Sequence, residues 1–435
     1  MMRKLSTLAL LCALGSGASA QVVLNEAFEN PPGGNDEFWE YIEFYGPAGM
    51  SLDGYAVALV KGGNDPNADG VPELPSEIDE AFSLDGLALG VNGLLVLLND
   101  TGGGSFAFDY VDAGTTVAYF SQQHIATTDT PGKLGNDDSS TYVLLRKRPV
   151  DNSGGFTTAW RKDIDPDENW DSHIDFGPPH QGYGRVLEPY QMVDNFAWSN
   201  NGGKEYVRDS QDEVSNTPGF NPDAASRAAY HGVNPGPQDR RADEEWVYGD
   251  CLVSNILQYD IARSGGPTGF DRTEYLLTPG GFNDSANEAQ FRFTPGDVDF
   301  DGRATGADFC AAAALLGATL DDTEPRVSDN ETPDDESDDF TFDAWKYEGR
   351  AFNSLLVVLN ADPNNGGVVQ LADLADLRSL LCLGDWNGDG ATNTQDVLAY
   401  LNAWSSSSLC ADINLDGAVN TIDFLAFLNA WAGGC

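Results

Sequence analysis

The first half of the chain is patterned in short steps. Runs rich in β-branched and aromatic side chains alternate with clusters of Gly, Pro, Asn and Asp. Examples are Phe38-Trp39-Glu40-Tyr41-Ile42-Glu43-Phe44-Tyr45, Tyr55-Ala56-Val57-Ala58-Leu59-Val60, Gly93-Leu94-Leu95-Val96-Leu97-Leu98 and Thr141-Tyr142-Val143-Leu144-Leu145. In the first of these Glu43 sits between Ile42 and Phe44, so in a strand its carboxylate faces away from theirs. Many short strands with turn signals between them predict a two-sheet sandwich over residues 21–225. Beyond Tyr190, as far as about 295, the pattern is less regular, and a β continuation or a linker is expected over 226–295. Thr217-Pro218-Gly219-Phe220 and Thr278-Pro279-Gly280-Gly281 are turn-like.

At residue 296 the pattern changes to short acidic, Gly-containing loops followed by apolar helical stretches. Val397-Leu398-Ala399-Tyr400-Leu401-Asn402-Ala403-Trp404 recurs as Phe424-Leu425-Ala426-Phe427-Leu428-Asn429-Ala430-Trp431. The large apolar residues fall on one helical face. Such a helix cannot bury that face alone, so the two are expected to pack together. Residues 321–339 hold ten acids against the single Arg326. Like charges at that density resist compaction, which predicts a solvated, mobile insertion. The fold class expected is mostly β with a small α-helical C-terminal module.

Composition adds three things. Residues 1–20 combine Arg3 and Lys4, the apolar run Leu5–Leu14 and the small residues Ala18-Ser19-Ala20. That is the pattern of a signal peptide, with Gln21 the expected mature N-terminus and a secreted or cell-surface location. No later stretch has the length and apolarity of a transmembrane helix. The formal charge is −46, and more negative once Arg3 and Lys4 are lost. This surface repels phosphates, so no nucleic-acid partner is expected, and it attracts divalent metals. Beyond Cys12, five cysteines remain: Cys251, Cys310, Cys382, Cys410 and Cys435. Export permits disulfides, the spacing fits no zinc motif, and an odd count leaves one thiol over. Cys410 and Cys435 flank the last loop and are placed to close a ring, although spacing does not fix the connectivity.

The strongest chemical signal is an acid ladder in fixed register. Asp385, Asn387, Asp389, Gly390 and Asp396 occupy loop positions 1, 3, 5, 6 and 12, and Asp412, Asn414, Asp416, Gly417 and Asp423 repeat them. Asp297, Asp299, Asp301, Gly302 and Asp308 form a third copy. A fourth, Asp362, Asn364, Gly367 and Asp373, is degraded, because Gly366 stands at position 5. Calcium (Ca2+) takes six to eight oxygens at roughly 2.3–2.6 Å in a flexible cage. Alternate side chains of a tight loop supply them, position 7 adds a backbone carbonyl (Ala391, Ala418 or Arg303), and position 9 acts through water (Asn393, Asn420 or Thr305). Glycine at position 6 permits the sharp turn. Asp65, Asn67, Asp69 and Gly70 imitate a loop start, but Ser76 stands at position 12. Asp163, Asp165, Asp167 and Asp171 lack the glycine. Both clusters are expected to be polar turns.

With two such loops, each leading into the same helix, residues 381–435 resemble a dockerin type I domain, a family that also uses Asp at position 12. The resemblance implies calcium as the ligand and a cohesin-like protein or cell-surface attachment machinery as the partner. It makes residues 296–380 a degenerate dockerin-like calcium-loop region. The Gly434-Cys435 ending is similar to that of a dockerin class predicted to anchor proteins at cell surfaces, which implies an anchoring role for Cys435. At the other end, Val22-Val23-Leu24-Asn25-Glu26-Ala27-Phe28, Glu40–Tyr45 and Ser51-Leu52-Asp53-Gly54-Tyr55 resemble the opening of a lamin-tail domain. That family implies an immunoglobulin-like β-sandwich, mostly non-catalytic in its bacterial members.

Evidence for catalysis is thin. The four histidines, His124, His173, His180 and His231, form no HExxH, and no GxSxG elbow or P-loop occurs. His173, Asp175 and His180 are expected to be loop residues. The sequence therefore favours a secreted, calcium-binding, non-catalytic binding or surface-assembly protein. The alternative is an extracellular hydrolase, acting on polysaccharide or nucleic acid, that carries a dockerin module.

Overall fold

The computed structural model describes residues 22–33, 36–61, 78–101, 111–125, 134–135, 139–147, 190–198, 213–215, 222–227, 246–252, 259–265, 276–283, 296–298, 303–319, 323–328, 340–345, 358, 360–363 and 366–435. The N-terminal region is mostly β-sheet. Its strands are β1 (Val23–Phe28), β2 (Tyr41–Tyr45), β3 (Tyr55–Lys61), β4 (Ile78–Ser83), β5 (Leu94–Leu98), β6 (Thr116–Tyr119), β7 (Ser140–Lys147), β8 (Tyr190–Trp198), β9 (Glu213–Ser215), β10 (Ala224–Arg227), β11 (Trp246–Cys251) and β12 (Tyr259–Gly265), with one short helix, α1 (Phe120–Gln123). One sheet has the order β12-β11-β10-β1-β2-β5-β6, and the other β4-β3-β7-β8-β9. Pairing is antiparallel except for β5 with β6 and β8 with β9. β10 straddles residue 225, and β11 and β12 extend the same sheet beyond it.

The inner faces carry the apolar residues the alternation predicts. Ile42 and Phe44 from one sheet join Val57, Leu59, Tyr142, Leu144 and Phe196 from the other in one buried cluster. Phe196 meets Trp246 across the interface at 4.3 Å. Polar cross-links stitch the layers. The Tyr142 hydroxyl donates to Glu29 Oε2 at 2.7 Å, and the Leu24 N–H donates to Asp194 Oδ2 at 2.7 Å. Arg227 Nη2 lies 3.0 Å from both Asp194 oxygens. This ion pair is fully buried, so its value lies in satisfying a charge that burial would otherwise penalise.

Glu43 faces away from Ile42 and Phe44, as alternation requires, yet it is not in water. It lies directly opposite Glu26 on β1, and both are buried beneath residues 276–283. The Thr278 N–H donates to Glu26, and the Gly280 N–H donates to Glu43. Tyr41 and Ser226 hydroxyls complete the partners of Glu26. Burial pushes Glu26 up to about 7 and Glu43 well above the usual carboxylate range, the latter aided by repulsion from Glu26.

The C-terminal end is a small helical module: α2 (Gly306–Ala314), α3 (Leu371–Arg378), α4 (Thr394–Ser405) and α5 (Thr421–Gly433). Between α2 and α3 only residues 323–328 of the acidic segment are described, and 321–322 and 329–339 lie outside the described residues. That part, β13 (Thr323–Ser328), pairs antiparallel with β14 (Phe340–Trp345), which follows the segment. The Phe340-Thr341-Phe342-Asp343-Ala344-Trp345 run supplies the strand propensity. Among the described residues no helix is long and apolar enough to cross a membrane.

Candidate metal centre

α4 and α5 pack as the repeat predicts. Tyr400 and Phe427, at equivalent positions, stack at 4.2 Å with planes 2° apart. Trp386, from the first loop, packs edge-on against both rings, and all three are buried.

The two loops share most of their bonds; the second adds one from the Asp416 N–H to Asp412 Oδ1, and the first one from Asn387 Nδ2 to Asp389 Oδ2. In the first, the Gly390 N–H donates to Asp385 Oδ2 at 2.9 Å and the Ala391 N–H to Asp389 Oδ1 at 2.9 Å. The Asp389 N–H donates to Asn387 Oδ1 at 3.0 Å. Asp396 accepts from the N–H groups of Asn387 at 3.1 Å and Asn393 at 2.7 Å. In the second, the Gly417 N–H donates to Asp412 Oδ2, the Ala418 N–H to Asp416 Oδ1, and the Asp416 N–H to Asn414 Oδ1. Asp423 accepts from Asn414 and Asn420. Position 6 has positive φ in both loops, +84° at Gly390 and +88° at Gly417, which only glycine adopts without cost. Asn393 and Asn420 cap α4 and α5, and Asp396 and Asp423 close capping boxes. The position-12 acid therefore also holds the helix start.

The two remaining copies share this wiring where it is described. The Thr305 N–H donates to Asp308 Oδ2, and the Gln370 N–H to Asp373 Oδ2, both at 2.7 Å. Asp362 accepts from Gly366 and Gly367, which are positions 5 and 6, so the loop without a position-5 side chain keeps its turn. Burial raises Asp362 to about 6. Asp297 is buried, and its carbonyl accepts from Asn360. Asp299, Asp301, Asn364, the clusters at Asp65 and Asp163, and His173, Asp175, His180 and His231 lie outside the described residues.

Do these residues fit calcium? Asp385 Oδ1 is buried and accepts no hydrogen bond. A desolvated carboxylate oxygen without a donor is costly unless a cation faces it. Asn387, Asp389 and the Ala391 carbonyl supply further oxygens on the same short loop. No group of three or more His, Cys, Asp or Glu side chains that could hold a metal forms among the described residues. The donor set is instead mixed, with Asn side chains and backbone carbonyls beside the acids. All-oxygen ligation of this kind suits a hard cation.

Sequence reasoning missed what surrounds the loops. Arg303, expected to offer only its carbonyl, sends its guanidinium to the Gly388 carbonyl of the first loop at 2.7 Å. Arg378 donates to the Ile413 carbonyl of the second at 2.8 Å. Gly306 lies so close to Trp386 that a Cβ there would meet the indole at 2.6 Å. The cysteines pair as Cys310–Cys410 and Cys382–Cys435. Cys410 and Cys435 do not close a ring together, because α2 brings Cys310 against the turn at Leu409–Ala411. Cys435 is thus held in a disulfide rather than presented as a free anchoring thiol. The odd cysteine is Cys251, buried in the β region, with its thiol pushed up by burial and nearby acids. His124 is 2.7 Å from Glu80, and both side chains are buried.

No curated protein and no solved structure matches the chain. The segment just described has a family counterpart: residues 383–430 match the Dockerin type I domain.

Proposed function

We propose that this chain is an exported, calcium-dependent docking protein. Residues 1–20 direct export, a lamin-tail-like, immunoglobulin-like β-sandwich over 21–225 serves as a non-catalytic binding module, and the C-terminal dockerin attaches it to a cohesin-like partner or a cell-surface assembly. The degenerate loops of 296–380 brace that dockerin. The observation that carries the reading is the wiring the two loops share at positions 1, 3, 5, 9 and 12, with one buried Asp385 oxygen left for a cation in the first loop. Docking is supported by what the helices leave open. Leu398 and Leu425, at equivalent positions of α4 and α5, are 62% and 58% exposed, and Ile422, three residues before Leu425 on α5, is exposed as well. Calcium supplies the positive charge that draws the ladder oxygens together. The chain's own residues then orient α4 and α5, and with them these leucines.

Surface plasmon resonance of the full chain against purified cohesin domains tests this. Binding should disappear with chelator and fall at least roughly tenfold when Leu398 and Leu425 are both changed to Asp, since each removes an apolar contact worth about 1 kcal/mol or more. Binding that ignores both treatments would refute the docking role.

A further inference from the structure

The two loops are joined crosswise by tryptophan. Trp404 lies near the end of α4, and its Nε1–H donates to the carbonyl of Asn420 in the second loop at 2.7 Å. Trp431, its counterpart on α5, donates to the carbonyl of Asn393 in the first loop at 2.7 Å. Each acceptor is the position-9 residue, whose N–H bonds the position-12 acid and whose side chain caps the helix. Each indole thus grips the hinge between loop and helix in the opposite repeat. Between the two grips lie Tyr400 and Phe427, stacked face to face. Trp404 also touches Phe424 of α5, with ring centres 6.1 Å apart.

We infer that Trp404 and Trp431 are positioning residues that couple the two calcium loops, each setting the geometry of the loop in the other repeat. The inference rests on the calcium reading and adds a regulation to it. Calcium held by the first loop's oxygens would fix the start of α4, through Asp396 and the Asn393 cap, against that loop. That helix carries Trp404 to the Asn420 carbonyl, so the second loop is already arranged when its own ion arrives. Preorganisation of this kind strengthens binding without a new ligand. The coupling is reciprocal, so filling either loop favours filling the other. A tryptophan that merely packed the helix pair would affect both loops alike.

The test uses the full chain with one loop disabled at a time. Asp385→Ala leaves the 412 loop, and Asp412→Ala leaves the 385 loop. Trp404→Phe and Trp431→Phe are placed in each background, and calcium binding is measured by calorimetry. With only the 412 loop active, Trp404→Phe should weaken calcium roughly three- to tenfold, the span of one net hydrogen bond, and Trp431→Phe should change it little. With only the 385 loop active the roles should exchange. Equal losses in both backgrounds, or losses confined to each tryptophan's own loop, would overturn the coupling. A second measurement needs no tryptophan substitution beyond signal assignment. In protein labelled with 15N at the indoles, calcium added to the Asp412→Ala chain should move the Trp404 signal as well as that of Trp431, and calcium added to the Asp385→Ala chain should likewise move both; a signal that answers only to the loop its indole bonds would overturn the coupling. If neither loop takes up calcium in the unmodified chain, the calcium reading itself fails. Calcium uptake without the crossed pattern refutes the coupling alone.

Discussion

Asp396 does two jobs that substitution separates. It accepts two backbone N–H groups, one of them from the α4 cap, and in the proposed calcium site it would be the charged ligand at position 12. Asp396→Asn keeps an acceptor and loses the charge. Its calcium affinity in the first loop should fall at least about tenfold, while helicity without calcium stays near that of the unmodified chain. Asp396→Ala should lose the cap as well, at about 1 kcal/mol of helix stability. Calorimetry and circular dichroism separate the two. The ladder was legible in the sequence because its chemistry is coded by position. The indole bonds were not, since Trp404 and Trp431 already satisfied the apolar helical face and nothing in that pattern requires an N–H to reach across. Glu43 was legible only by half. Alternation gave its direction, but its cover comes from Gly280, 237 residues away.

At the scale of elements, four loop–helix units share one hydrogen bond from position 9 to the position-12 acid, in Thr305, Gln370, Asn393 and Asn420. Periodicity revealed the last two units fully. It exposed the first two only as acid spacing, because α2 and α3 are shorter and the hairpin of β13 and β14 separates the two units. How the units are fastened together was not legible, since five cysteines allow many pairings. Cys382–Cys435 spans 53 residues, enclosing both loops, and a loop of that length is worth about 4 kcal/mol of chain entropy. Cys382→Ser should therefore lower the melting temperature of the C-terminal module by several degrees in chelator, followed by helical circular dichroism. Calcium should recover most of the loss, because metal binding stabilises only the folded loops. No change in chelator would show that the bridge contributes nothing.

Across the whole molecule, the two regions make opposite demands on pH. In the β region Glu26 is raised from 4.5 to about 7 by burial, so the folded state holds its proton more tightly than the unfolded chain. That stabilisation is complete below about 4.5 and is lost as pH rises through about 7. Glu43 shifts in the same direction. Glu26→Gln should flatten the pH dependence of β-region melting, which calorimetric scans between pH 5 and 8 would register; a slope unchanged by the substitution would place its origin elsewhere. The proposed calcium module should behave in the other sense. Its ligands must be ionised, so acid weakens ion binding. In calcium, lowering the pH from 8 to 5 should raise one transition and lower the other.

The most direct measurement is a calcium titration of the full chain by calorimetry, repeated on the Asp385→Ala/Asp412→Ala double variant, with helicity followed throughout. Two binding events and a rise in helicity should be present in the first protein and missing from the second. Identical heats and identical helicity in both would contradict the assignment of calcium to the C-terminal loops.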